Sequence, residues 1–180
     1  MDPRPVLDLI AAARGDDDVV LVGIGGHGGA GKSTLAGMIP GAQVVSTDEF
    51  WTGASFDIDR LAQEVVGPIA RGEPARFQSY DWSSRQKRGL RTVEPEGIVV
   101  VEGVCALHQV LRESYAVRVW VEAPYDVRLA RGIARDGEAA RSMWVDVWMP
   151  SEERYVRRDD PVSCAHLVID TGEDPRSDPE

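Results

Sequence analysis

A chain of 180 residues, 43% hydrophobic and 28% charged, has the composition of one soluble domain large enough to bury its own core. Its net charge of −10 argues against a sequence-independent grip on nucleic acid, which takes a basic surface, and no apolar run reaches the length of a membrane span. Cys105 and Cys164 are too few and too isolated for a disulfide framework or a zinc site, and the N-terminal MDPRPVLDL lacks a basic-then-apolar leader, so the expectation is a cytoplasmic protein acting on a small molecule.

Val6 to Ala13 (VLDLIAAA) places apolar residues at helical spacing between leading prolines and Gly15, and predicts a short packing helix. Asp16, Asp17 and Asp18 read as a solvated turn in preference to a metal cluster. The next stretch, Val19 to Thr34 (VVLVGIGGHGGAGKST), is the most informative in the chain. An apolar β-branched run has the composition of a buried parallel strand and ends in glycines that a strand interior does not tolerate. Gly26, Gly31, Lys32 and Ser33 fit G-x-x-x-x-G-K-[ST], and a helix can begin at Thr34. In such a loop the backbone N–H groups of Gly26, His27, Gly28, Gly29, Ala30, Gly31, Lys32, Ser33 and Thr34 surround a polyphosphate. Lys32 reaches the β- and γ-phosphates, and Ser33 offers a hydroxyl to Mg²⁺. Lysine is otherwise almost unused, with Lys87 the only other one; a compact ammonium suits this cradle better than a guanidinium.

Pro40 and Gly41 break the chain, and Gln43 to Ser46 predicts a short strand delivering Thr47, Asp48, Glu49 and Phe50 at its C-terminal end, where open α/β sheets bind ligands. Asp59 to Val66 predicts a helix, with a kink or restart at Gly67 and Pro68. Arg76 to Arg91 mixes polar and aromatic residues without clean periodicity and reads as a small strand or hairpin with a mobile loop. Gly97 to Gly103 (GIVVVEG) is a second buried strand, which puts Glu102 at the same edge as Asp48. A helix is expected over Cys105 to Arg112, a strand over Val117 to Val121 and a helix over Pro124 to Arg135, with Arg128, Arg131 and Arg135 on one face. Asp136, Gly137 and Glu138 break that helix. Another, interrupted near Pro150, runs from Ala139 to Arg157, and His166 to Ile169 predicts a last strand. The expected domain spans residues 1–170, with 171–180 a disordered tail. Strands alternating with helices predict an α/β fold: a P-loop NTPase three-layer sandwich, a central mostly parallel sheet flanked by helices, and a small arginine-bearing lid.

No N-K-x-D tetrapeptide is present, which argues against a guanine-nucleotide switch, and the second buried strand ends in Glu102 where transport or remodelling ATPases want Asp. A small-molecule kinase is the class that remains.

Seven motifs in order, GGHGGAGKST, STDEFW, FD at Phe56 and Asp57, YDW at Tyr80 to Trp82, IVVVEGV, RLARGIARD and WMPSEERYV, resemble the uridine kinase family, whose relatives include phosphoribulokinase and bacterial pantothenate kinase. The resemblance runs from Val19 to about Asp170. It implies an ATP- and Mg²⁺-dependent kinase in which Asp48 is the general base toward the acceptor hydroxyl. It further implies that Glu102 and Asp48 stand with Ser33 near Mg²⁺, Glu102 through water, that Asp57 binds ribose hydroxyls, that Phe56 and Trp82 flank the base and that Tyr80 touches its edge. Core packing is the competing reading for these aromatics. Arg131 and Arg135 resemble lid arginines acting on the transferring phosphoryl group, with Arg128 equally a solvated residue and Arg141 a further contact. Where uridine kinases carry a histidine after the YDF-type motif this chain has Ser84 and Arg85, so base recognition is expected to differ or be absent. The lid turn at Gly137 and Glu138 is compressed.

The leading expectation is transfer of the γ-phosphate to the primary hydroxyl of a pyrimidine nucleoside. A nucleoside monophosphate, a pantothenate-like alcohol or a sugar phosphate is the alternative acceptor, for which Arg76, Arg85 and Arg88 would suit an anion. A nucleotide-binding regulatory protein without turnover is the alternative from another class. Association with further copies of the chain is left open.

Overall fold

The five strands expected over Val19 onward, Gln43 to Ser46, Gly97 to Gly103, Val117 to Val121 and His166 to Ile169 enter one parallel sheet of order β2-β5-β1-β6-β7. The computed structural model describes residues 1–15, 18–82, 84 and 86–172; the expected turn at Asp16 and Asp17, the contact at Arg85 and most of the expected tail lie outside these residues. The strands are β1 (Val19–Gly26), β2 (Ala42–Ser46), β5 (Gly97–Glu102), β6 (Val117–Glu122) and β7 (Leu167–Asp170), while β3 (Ala75–Asp81) and β4 (Gln86–Val93) form a separate antiparallel hairpin.

Side chains alternate along β1, so Leu21 packs on one face and Val20, Val22 and Ile24 on the other. The second face is covered by α1 (Arg4–Ala13) through Val6 and Ile10 and by α2 (Lys32–Gly37) through Leu35 and Ala36. Val6, Ile10 and Leu35 each contribute about 1.5–3 kcal/mol when fully buried. The first face is covered by the helical run from Ile58 to Ala70, by the hairpin and by α6 (Met149–Asp159). Layers on both faces make the expected three-layer α/β sandwich. No helix among the described residues is long and apolar enough to cross a membrane.

Several local expectations are corrected. Cys105 to Arg112 is a succession of turns leading into a 3₁₀ turn at Arg112–Ser114, without an α-helix. Its bonds close mostly over three residues, from Ala106 N to Gly103 O, His108 N to Cys105 O and Leu111 N to His108 O. The His108 ring accepts the Val110 N–H at Nδ1, which competes with a helical ladder. Leu107 and Leu111, whose spacing looked helical, are both fully buried. In the run after Asp57, α3 (Ile58–Leu61) passes into a π-turn (Ala62–Val66) and then α4 (Gly67–Ala70), with Pro68 in its first turn. The expected restart thus takes the form of a π-turn, which absorbs the missing Pro68 N–H. A second π-turn, Met143–Trp148, precedes Pro150 and joins α6. The chain is held one residue beyond the expected domain end. Thr171 is buried, donates its backbone N–H to Glu122 O at 2.9 Å and its hydroxyl to Ala30 O at 2.7 Å.

Candidate phosphate and acceptor site

Parallel register aligns the chemistry. Ser46 pairs with Glu102 and Glu102 with Ile24, so the ends of β2, β5 and β1 present the Asp48 turn, Glu102 and the glycine-rich loop side by side. Open α/β sheets bind ligands along this edge.

The loop from Gly26 to Gly31 passes through positive φ at Gly26, Gly29 and Gly31. At Gly29 a Cβ would run into the Arg128 carbonyl in addition to the backbone strain, so only glycine fits there. Lys32 opens α2, is buried, and donates to the His27 carbonyl at 2.8 Å across the loop. Burial pushes its ammonium pKa down, opposed by Glu102, Glu152 and Asp48. Burial likewise pushes the His27 imidazole down to about 4, with Arg128 and Lys32 adding to the effect, so His27 is neutral at pH 7. Its ring stands edge-on to Trp120.

Ser33 Oγ donates to Glu102 Oε2 at 3.1 Å. Burial raises the Glu102 pKa, opposed chiefly by Lys32. Asp48 sits in a 3₁₀ turn, Thr47–Phe50, capped by Ser46, whose hydroxyl accepts the Asp48 N–H while Glu49 accepts the Ser46 N–H. This capping box holds Asp48 in place. Water reaches the Asp48 side chain, yet the protein mass around it pushes its pKa up, with Lys32 and then Arg135 opposing; the water contact limits the size of that push. Gly103, next to Glu102, has no room for a Cβ beside Thr47, so the two chain segments bearing the carboxylates meet backbone to side chain.

Above this edge stands an aromatic wall. Trp82 Nε1 donates to the Asp48 carbonyl at 3.2 Å, and the Trp82 ring lies 5.4 Å from Trp51 and 5.3 Å from Tyr80. Trp51 in turn meets Phe56 edge-on at 5.1 Å. Trp82 is exposed, so core packing does not account for it. The β3–β4 hairpin is fastened to the Asp48 turn a second time through Arg91, which bonds Glu49 and the Val44 carbonyl.

Other residues singled out from the sequence are engaged differently. Asp57 caps α3 by accepting the Arg60 N–H at 3.1 Å. Arg128 is buried, with Nε on Ala123 O and Nη1 at 3.9 Å from Glu152. Arg131 ties the segment after β7 to the loop, donating to Thr171 Oγ1 and O at 2.9 and 2.8 Å and to Gly29 O at 3.4 Å. Arg141 pairs with Glu138 on the surface. Of the arginine row on α5 (Tyr125–Asp136), Arg135 is the one whose charge acts on both Asp48 and Glu102. Sequence reasoning passed over Trp51, although it closes STDEFW, and Glu152, although it lies within WMPSEERYV. Glu152 is buried and accepts the Gly28 N–H at 3.0 Å.

A divalent cation and a polyphosphate fit this arrangement. A hydroxyl and a carboxylate already stand together at Ser33 and Glu102, and buried carboxylates with raised pKa values mark a place short of positive charge. The described residues hold no cluster of three or more His, Cys, Asp or Glu suited to a metal; Mg²⁺ commonly takes one or two protein groups and completes its shell with phosphates and water.

No protein-family model matches the chain. The inorganic pyrophosphatases TTM1 and TTM2 of Arabidopsis thaliana are 28% identical over 144 and 141 residues, 71% and 69% of this chain; the chain covers only 22% and 21% of their length. The uridine kinase of Staphylococcus epidermidis is 24% identical over 173 residues, covering 78% of this chain and 83% of that protein. Among solved structures, that of a possible uridine kinase from Bacillus stearothermophilus superposes with a TM-score of 0.66 at 17% identity, covering 92% of this chain and 100% of the other.

Proposed function

We propose, on the premise that the chain groups with the uridine kinase-like P-loop kinases, that it transfers the γ-phosphate of ATP to the primary hydroxyl of a small molecule, with a pyrimidine nucleoside as the first candidate. The observation that carries this reading is the convergence of the Gly26–Thr34 loop, Glu102 and Asp48 on one strand edge beneath a wall of aromatic rings.

In this reading the loop N–H groups and Lys32 hold the polyphosphate. Asp48 accepts the proton of the acceptor hydroxyl as its oxygen forms a bond to the γ-phosphorus. The bond from that phosphorus to the β–γ bridging oxygen breaks, and ADP leaves. Ser33 and Glu102, with Asp48 alongside, would hold Mg²⁺, whose contribution when bound is to neutralise charge on the phosphate oxygens. Arg135 supplies donors to the transferring group; Arg131, as placed, secures the loop from behind. Trp51 and Trp82 offer flat apolar faces to a planar or ring-shaped acceptor, with Phe56 and Tyr80 supporting them. Asp57, Arg141 and Arg85 remain candidates for acceptor contacts.

Incubation with ATP, Mg²⁺ and a panel of nucleosides, vitamins and sugar phosphates tests the substrate class. ADP formation with at least one pyrimidine nucleoside is expected, and activity confined to another class would reject the nucleoside. An anionic acceptor is the second reading, for which Arg76 on β3 and Arg88 on β4, the latter paired with Asp81 at 3.0 Å, are the candidate cations, and the same panel decides between them. Trp51→Ala should raise the acceptor KM by ~10-fold while leaving the ATP KM unchanged, since one stacking face is worth roughly 1–3 kcal/mol. An unchanged acceptor KM would remove Trp51 from the site.

A further inference from the structure

Arg135 projects from the last turn of α5, where a lone arginine side chain would sample many rotamers. Here it is clamped. Asp136 Oδ1 accepts Nε–H at 2.8 Å and Oδ2 accepts Nη2–H at 2.9 Å, a fork-to-fork pair that fixes the plane of the guanidinium. The same Oδ2 accepts the indole N–H of Trp144 at 2.9 Å, and the Arg135 guanidinium lies over the Trp144 ring at 5.6 Å from its centroid. Trp144 is 2% exposed.

Two glycines make room for that indole. A Cβ at Gly132 on α5 would fall 2.5 Å from Cε2 and Cζ2, and a Cβ at Gly28 in the phosphate loop would fall 3.0 Å from Cη2 and Cζ3. One edge of the ring therefore rests on the backbone of the phosphate loop while its N–H, at the other edge, meets the carboxylate that holds Arg135. Glu152 closes the arrangement by accepting the Gly28 N–H.

Building on the phosphotransfer reading above, we propose that Trp144 and Asp136 are positioning residues: they hold Arg135 in register with the phosphate loop, so that the loop and the lid arginine move as one unit. A guanidinium carries five N–H donors, and the Asp136 pair occupies two. Nη1 is left for an anion in the cradle. Ordering the arginine before the phosphates arrive lowers the entropy that would otherwise be lost at the transition state.

Trp144→Phe keeps a ring and removes the N–H; Asp136→Asn removes the charge from the fork. Each should lower kcat ~10-fold with the ATP KM within about threefold of wild type, because the lost contact acts on the transition state through Arg135. In an Arg135→Ala background neither substitution should lower kcat further, since all three act through one group. Melting temperatures identify any variant that fails to fold, and Asp136→Asn, at an exposed position, carries the test if Trp144→Phe does not fold. Unchanged kcat in the folded variants, or an equal further loss in the Arg135→Ala background, would overturn the positioning role. If the wild-type protein transfers no phosphate to any acceptor, the phosphotransfer reading falls by itself. The coupling is then read by calorimetry as the preference for ATP over ADP, which Trp144→Phe, Asp136→Asn and Arg135→Ala should reduce by the same non-additive factor; independent factors would overturn it.

Discussion

Replacing Asp48 by Asn is expected to lower turnover by at least ~10²-fold while ATP affinity stays within about threefold of wild type. The amide is nearly isosteric and can stay in the same capped turn, because the caps run through Ser46 and Glu49 and leave the Asp48 side chain out. What it loses is the ability to take a proton. In the proposed mechanism the same residue should set the acid limb of the pH profile. Its pKa is raised by the surrounding protein, and the base works only when ionised, so turnover should rise with pH through a value above that of a free aspartate, a position that bound Mg²⁺ shifts downward by adding positive charge and the nucleotide phosphates shift upward by adding negative charge. Stability runs the other way. For Asp48 and Glu102 the folded pKa lies above the unfolded one, so the folded state holds protons that the unfolded chain has already released. Their contribution to stability is therefore greatest at acid pH and declines as pH rises from about 4 through the folded values. Turnover of Asp48→Asn equal to wild type would reject Asp48 as the base.

The second large effect is that of Lys32→Ala, which should weaken ATP binding and lower kcat together, reducing kcat/KM by ~10²-fold or more. In the proposed mechanism its ammonium contacts phosphate oxygens in both ground and transition states, unlike the proton acceptor. The buried position adds a second consequence. Lys32 is the principal positive charge opposing the raised pKa values of Glu102 and Asp48, and among the charges opposing that of Glu152. Without it the three carboxyls should be driven further up, and the protein should lose more stability than wild type as pH rises above the ordinary carboxyl values. Thermal melts at several pH values measure this directly, and parallel curves for the two proteins would mean that Lys32 is not the counter-charge.

The sheet was legible because parallel strands buried on both faces are written as runs rich in β-branched and other apolar residues: Val19 to Ile24, Ile98 to Val101 and, broken by Arg118, Val117 to Val121. The phosphate loop was legible because its backbone demands glycines at set positions. The Cys105 to Arg112 turns were not, since Leu107 and Leu111 are four apart on a helix and equally able to reach one core from a chain of turns. The lid was only half legible. Helical spacing put Arg128, Arg131 and Arg135 on one face, but a face is too coarse to separate their partners: Arg128 is drawn inward to Ala123 O and Glu152, Arg131 to Thr171, and Arg135 to Asp136, from where its charge is felt at Asp48 and Glu102. Those differences come from segments distant in sequence. Glu152 and Trp144 were invisible for the same reason, their contacts to Gly28 spanning more than a hundred residues.

The most direct test of the central claim follows the phosphorus. Wild-type protein is incubated with Mg²⁺ and ATP carrying ¹⁸O on its γ-phosphoryl group, together with the acceptor chosen by the panel, and the products are weighed by mass spectrometry. In-line transfer to a hydroxyl predicts a phosphorylated acceptor that retains the three labelled non-bridging oxygens, formed in step with ADP and lost in Asp48→Asn. Label recovered only in free inorganic phosphate would show water to be the nucleophile and would contradict the reading of this strand edge as a kinase site.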